Sequence, residues 1–246
     1  MKQYIATTVA GVTLALTLCL SACGGGGGSS AVPTANAETH PNAVLIGAFG
    51  DSTMAGFTAT SPTTGEYTTL DAPHYLQLDL QGIYGPGVTV VNQGVSASTL
   101  GELMAGTAPY TTSFTQQLAQ SNAKIVLENF GMNDVLPGVG ESPEAFRQLL
   151  IEWVTDAINA GEVPILEEPS PSCDPQRANL GEYVQQIDDV AAQMNVPLIQ
   201  QYTYIQSLPN WQGYLADCIH PSPALYAIKA QREAVVISPL VAKLLD

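Results

Sequence analysis

Three short stretches carry residues that can do covalent chemistry together. Gly50-Asp51-Ser52-Thr53 ends an apolar run, Gly131-Met132-Asn133-Asp134 ends another, and Asp217-Cys218-Ile219-His220 lies near the C-terminus. A serine becomes a nucleophile when a base takes its proton, and histidine is the usual base near neutral pH. The chain has 3 histidines. His40 sits in a polar, glycine-rich stretch and is expected in solvent. His74 opens a predicted helix and is expected to be packed or capping. His220 remains, three residues after Asp217 in a loop kept short by Pro221 and Pro223. Side chains so spaced in a turn can share one side, so the Asp217 carboxylate can accept from one imidazole nitrogen and stabilise the imidazolium. Negative charge developing on a carbonyl oxygen needs donors. Gly94 can bring its N–H close without a side chain in the way, Asn133 can offer its amide, and Ser52 has its own N–H. Each motif also has a plain reading: a turn, a tight-turn glycine, an Asx-turn asparagine, a loop opening a helix. Asp51 is read as stabilising its own turn. Asp134, Glu128 and Glu167 are read as lining or hydrogen-bonding groups.

The elements that must position these residues follow from hydrophobic patterning. Residues 43–50, 88–92, 123–130, 163–168 and 196–201 are short runs rich in Val, Ile and Leu. Near-continuous hydrophobicity of that kind suits parallel strands covered on both faces. Between them lie amphipathic stretches. The clearest, 143–159, puts Phe146, Leu149, Leu150, Trp153, Val154 and Ile158 on one face, with Ser142 as N-cap, Pro143 at the first position and Gly161 closing it. Residues 180–194 repeat the plan with Asn179 as expected N-cap, and Ser222-Pro223 opens a last helix. Alternating strands and helices imply one α/β/α sandwich with a five-stranded parallel sheet and right-handed crossovers. In such folds functional groups gather beyond the carboxyl ends of the strands. The first strand ends in Phe-Gly-Asp-Ser-Thr, the second at Gly94, the third in Phe-Gly-Met-Asn-Asp and the fourth runs on to Cys173. The Asp217–His220 segment follows the fifth.

Composition bounds the context. Against 22 acidic residues the chain has 7 basic ones, with no basic stripe, so nucleic-acid binding is excluded. Met1-Lys2 and the uncharged run Tyr4–Leu20 read as an export signal over residues 1–22. Leu20-Ser21-Ala22-Cys23 resembles the lipobox of bacterial lipoproteins, which implies lipidation of Cys23, a membrane anchor, and a periplasmic or cell-surface location. The stretch 23–42 reads as a glycine-rich tether, leaving 43–246 as one catalytic-sized domain, expected to be a monomer. Cys173 and Cys218 then remain. In an exported protein a disulfide between them is the leading expectation, two free buried thiols the alternative. No cluster of His and Cys has metal-ligand spacing, so neither metal nor organic cofactor is expected.

Taken together, the blocks at 50–53, 92–94, 131–134 and 217–220 resemble those of the SGNH, or GDSL-type, hydrolase family, in order and in structural context. The resemblance spans residue 43 to the C-terminus and implies a flavodoxin-like SGNH hydrolase fold. It implies Ser52 as nucleophile, His220 as base, Asp217 as the orienting acid, and Gly94, Asn133 and the Ser52 N–H as oxyanion donors. Thr53 stands where the family pattern has leucine, and no Gly-x-Ser-x-Gly elbow is present. The six residues Gly50–Ala55 also look like the matching stretch of carbohydrate acetylesterases of that superfamily. The function implied is hydrolysis of carboxylic esters through an acyl-enzyme, short acyl groups foremost. A lysophospholipase or thioesterase activity, or a glycan-binding lipoprotein on an inactive fold, are the alternatives. Acyl transfer to another sugar uses the same residues.

Overall fold

The computed structural model describes residues 43–246; the expected signal, Cys23 and tether lie outside the described residues. The strands are β1 (Val44–Gly50), β2 (Phe57–Ser61), β3 (Thr64–Tyr67), β4 (Val88–Gly94), β5 (Ile125–Asn129), β6 (Val163–Glu167) and β7 (Leu198–Ile199). The helices are α1 (Ala72–Tyr84), α2 (Leu100–Ala105), α3 (Phe114–Gln120), α4 (Pro143–Ala160), α5 (Leu180–Met194), α6 (Tyr202–Ser207) and α7 (Pro223–Leu245). Five strands form one parallel sheet in the order β4-β1-β5-β6-β7. The expected α/β fold is therefore present.

The central strands β1, β5 and β6 are apolar on both sides because both sides are covered. Along β1, Ile46 and Ala48 join a cluster with Leu76 and Leu80 of α1 and Ile237 of α7. Phe49 points the other way, into a cluster with Phe114 of α3, Trp153 of α4 and Ile187 of α5. Alternation at period two sends successive side chains to opposite layers, so β1 is buried on both faces apart from the partly covered Leu45, while edge strand β4 exposes Thr89, Val91 and Gln93. Phe114 lies between Phe49, met edge-on at 5.2 Å, and Trp153, stacked at 5.0 Å.

Helix ends follow their signals where the side chain can reach. Ser142 accepts from the Ala145 N–H at 3.2 Å, and Gly161 closes α4 with φ of 85°. Asn179 corrects an expectation: it precedes α5, yet its side chain makes no capping bond. At φ −93° and ψ 10° its backbone is not in the extended conformation from which a cap side chain turns back over the first turn. β7 keeps only two residues of the expected fifth strand. The β2–β3 hairpin leaves no signal in the sequence, since its Thr, Ser and Gly residues carry no strand-like apolar alternation.

β1 has β4 on one side and β5 on the other, so the strand order reverses around it. The crevice beyond its carboxyl end is where such sheets hold ligands, and Ser52 is the second residue past that end.

Candidate active site

The turn after β1 is built to stop a strand sharply. At Gly50 a Cβ would lie 2.7 Å from both the Asn129 carbonyl oxygen and the Met54 side chain, so the strand passes β5 only as glycine. The Asp51 carboxylate then accepts from the Thr53 N–H at 2.8 Å, and the Ala55 N–H donates to the Asp51 carbonyl. Asp51 is fully buried, and that burial pushes its carboxyl pKa up. It serves the turn and does not touch His220's ring nitrogens.

Ser52 Oγ stands 2.8 Å from His220 Nε2, and His220 Nδ1 stands 2.6 Å from Asp217 Oδ2. The structure thus brings together three residues from the two ends of the domain. The other carboxylate oxygen of Asp217 accepts from the N–H groups of Ile219 at 3.0 Å and His220 at 2.8 Å. Partial burial works against ionising Asp217, but the His220 ring and these two N–H groups outweigh it and hold the carboxyl below its usual range. Phe57 packs edge-on against the His220 ring at 4.6 Å, closing its outer side. His74 lies elsewhere: its N–H donates to the cap Asp71 and its ring meets Tyr75.

Cys173 and Cys218 form a disulfide, so the loop after β6 is stapled to the segment carrying Asp217 and His220. Backbone bonds reinforce the staple. Cys173 N–H donates to the Cys218 carbonyl at 3.1 Å, and Ser172 Oγ to the same oxygen at 2.7 Å.

The oxyanion side differs from the sequence expectation at one residue. The Gly94 N–H is taken by the Asn92 side-chain oxygen at 2.9 Å, and Gly94 does not line the cleft at Ser52. Its missing Cβ has another reason: that atom would lie 2.3 Å from the Ala55 nitrogen. Gly94 lets β4 pass the segment after the nucleophile. The residue of this loop that lines the cleft is Ala97, whose N–H has no partner among the described residues. Ala97 sits at φ of 62°, a left-handed conformation costly for alanine. It is held there because Ser98 Oγ donates to the Val95 carbonyl at 2.7 Å and the Ser98 carbonyl accepts from Asn133 Nδ2 at 2.9 Å. Sequence reasoning sought a glycine for close backbone approach. An alanine forced to positive φ leaves no such signal.

Asn133 lines the same cleft, as does Arg177, which sequence reasoning did not single out. Asp134 ties the loop after β5 to the start of α2, accepting from Leu100 N–H at 2.7 Å and Gly131 N–H at 2.8 Å, and its burial raises its pKa to about 7. Glu128 accepts from the Phe130 N–H, while Glu167 pairs with the buried Lys229 at 3.7 Å. Lys229 Nζ and Thr53 Oγ1 both donate to the Asn129 side-chain oxygen, each at 3.3 Å, beneath the nucleophile turn. The cleft, of about 260 Å³, is walled by Phe57 and Tyr67, and the Tyr67 hydroxyl donates to Ser96 Oγ at 2.6 Å across its rim. Among the described residues no group of His, Cys, Asp and Glu is arranged to hold a metal ion.

This geometry can be set beside known proteins. Residues 48–228 match the model of the GDSL-like Lipase/Acylhydrolase family. No curated protein matches the sequence. Among solved structures, a lipase/acylhydrolase from Enterococcus faecalis is similar with TM-score 0.67 at 21% identity, over 80% of this chain and 96% of that one. An aryl esterase from M. smegmatis gives 0.64 at 18% identity, over 82% and 100%. An acetylxylan esterase from Geobacillus stearothermophilus gives 0.62 at 20%, over 80% and 95%. At such identities the likeness is one of fold.

Proposed function

The chain belongs to the GDSL-like lipase/acylhydrolase family, and from that premise we propose a serine esterase that removes short acyl groups, acetyl foremost, from carbohydrate hydroxyls. The observation that carries the reading is the 2.8 Å contact between Ser52 Oγ and His220 Nε2, with His220 Nδ1 held by Asp217. Ser52 Oγ attacks the ester carbonyl carbon as its proton passes to His220 Nε2, and the carbonyl electron pair moves onto oxygen. That oxyanion accepts from the N–H of Ser52, the N–H of Ala97 and the free Nδ2–H of Asn133. The tetrahedral adduct collapses, and the leaving alkoxide takes the proton from His220. Water, deprotonated by His220, then attacks the acyl-Ser52 carbonyl. A second collapse returns the proton to Ser52 Oγ and releases the carboxylic acid. Asp217 stays ionised throughout, fixing the tautomer and balancing the imidazolium.

A wall beside Ser52, made by Phe57 and by Tyr67 bonded to Ser96, supports a short acyl group. The likeness to an acetylxylan esterase points the same way. The test is hydrolysis of p-nitrophenyl esters from acetate to long acyl chains, beside Ser52→Ala. Acetate is expected to be turned over fastest, with activity lost in the variant. A maximum at long chains favours a lipid or thioester substrate. No serine-dependent turnover of any ester favours a binding role. The protein is further proposed to be exported and lipid-anchored at Cys23, a reading supported by the Leu20–Cys23 sequence and by a disulfide suited to an oxidising compartment. Cys23→Ser is expected to move it from the membrane to the soluble fraction.

A further inference from the structure

Arg177 is a cation that the reaction above does not use. It is only 9% exposed, and its guanidinium is spent on three fixed partners. Nε donates to the Met132 carbonyl at 2.9 Å, Nη2 faces the Asn133 side-chain oxygen at 3.4 Å, and Nη1 pairs with Asp174 Oδ2. The fork therefore grips the backbone of one residue and the side chain of the next. An asparagine amide presents nearly the same shape with oxygen and nitrogen exchanged. Exchange at Asn133 would set an NH₂ group against the guanidinium and leave the Ser98 carbonyl facing an oxygen. With Arg177 on one side and the Ser98 carbonyl on the other, only one orientation satisfies both neighbours. In that orientation one Nδ2 hydrogen goes to Ser98 and the other is left for the cleft. At 3.4 Å the contact is long for a hydrogen bond, so the alignment comes mainly from the charge facing the amide dipole.

Resting on the esterase reading, we infer that Arg177 is a positioning residue, which locks the Asn133 amide with its spare N–H toward the oxyanion. The same loop carries the staple. Arg177 ends the short turn Pro175–Arg177, and Cys173 just before it is bonded to Cys218, beside Asp217. Asp174, which pairs with Arg177, donates its N–H to Ser172 Oγ, itself bonded to the Cys218 carbonyl. One loop thus steadies the oxyanion amide and the base-bearing segment together.

The experiment is a double-mutant cycle between Arg177→Met and Asn133→Ala, read as kcat and KM on p-nitrophenyl acetate. Arg177→Met alone is expected to lower kcat at least ~10-fold and by no more than the ~10²–10³ that one oxyanion donor is worth, with KM within about twofold. In the Asn133→Ala background the same change is expected to cost less than about twofold, because its target is gone. Arg177→Lys, which keeps the charge, is expected to recover part of kcat. Equal losses in both backgrounds, or a rise in KM alone, overturn the inference. A readout that needs no turnover is the Asn133 side-chain amide in ¹⁵N NMR. Arg177→Met is expected to shift and broaden its pair of resonances, and unchanged resonances refute the lock. If the wild type has no Ser52-dependent turnover, the esterase reading fails, while the amide spectrum still decides the lock.

Discussion

Breaking the disulfide tests whether the staple steadies the base-bearing loop as well as the fold. Cys173 and Cys218 are separated by 45 positions, and closing a loop of that length removes denatured-state entropy worth about 4 kcal/mol. For a domain of this size the unfolding entropy at the midpoint is about 0.4 kcal/mol/K, so Cys173→Ala/Cys218→Ala is expected to lower Tm by about 9 °C. Catalysis is expected to suffer separately. Cys218 lies next to Asp217 and at φ of 68°, a conformation that a non-glycine residue leaves when released. Two bonds to the Cys218 carbonyl survive the change, from Cys173 N–H and Ser172 Oγ. The loop therefore loosens without detaching. A kcat loss of about 10-fold is expected, short of the ~10² that a misplacement of about 1 Å can cost. The assay is Tm by calorimetry and kcat well below the variant's Tm, with intact mass confirming the disulfide in the wild type. Full kcat in a variant destabilised as expected refutes the positioning role. An unchanged Tm refutes the loop-closure reasoning.

Gly94→Ala drives a Cβ to 2.3 Å from the Ala55 nitrogen, so the backbone behind Ser52 must shift. Loss of about 1–3 kcal/mol of stability and most of kcat is expected. Ala97→Gly only relieves a left-handed residue, and is expected to keep kcat within about threefold if the N–H is what matters. Tyr67→Ala removes the bridge to Ser96 and one wall of the cleft, so the ratio of butyrate to acetate hydrolysis is expected to rise. An unchanged ratio means the hairpin does not set acyl length. Burial raises the pKa of Asp134 to about 7, of Glu168 to about 7 and of Glu141 to about 8. A raised folded-state pKa stabilises below the unfolded value and is lost as pH climbs through the folded one, so stability should fall between roughly pH 4 and pH 8. Asp217, held below the ordinary carboxylate range by its bonds to His220 and Ile219, acts only at lower pH and leaves that window untouched. Tm is expected to be higher at pH 5 than at pH 8; a flat or opposite trend contradicts these assignments.

How far the sequence reached is clearest at the oxyanion side. Buried parallel strands announce themselves because both layers demand apolar residues; Ser52 and Asn133 sit at predictable strand exits, and the Asp217–His220 turn sits just before the capped start of α7. Glycine at position 94 suggests close backbone approach to the oxyanion, yet here its missing Cβ accommodates Ala55. Ala97 reaches the cleft through a backbone conformation imposed by Ser98 and Asn133, contacts that no local pattern encodes. Arg177 likewise comes from a loop whose position depends on a disulfide to a residue 45 places on. The hairpin that walls the cleft is polar and short, so periodicity passed over it. Capping shows the same limit: Asn179 has the right type and place, but its backbone angles deny its side chain the bond.

The most direct test of the central claim is covalent labelling with diethyl p-nitrophenyl phosphate, located by peptide mass spectrometry. The account predicts a single adduct on Ser52, formed at least ~10²-fold more slowly in His220→Ala. An adduct on another residue, or an equal rate in His220→Ala, would contradict it.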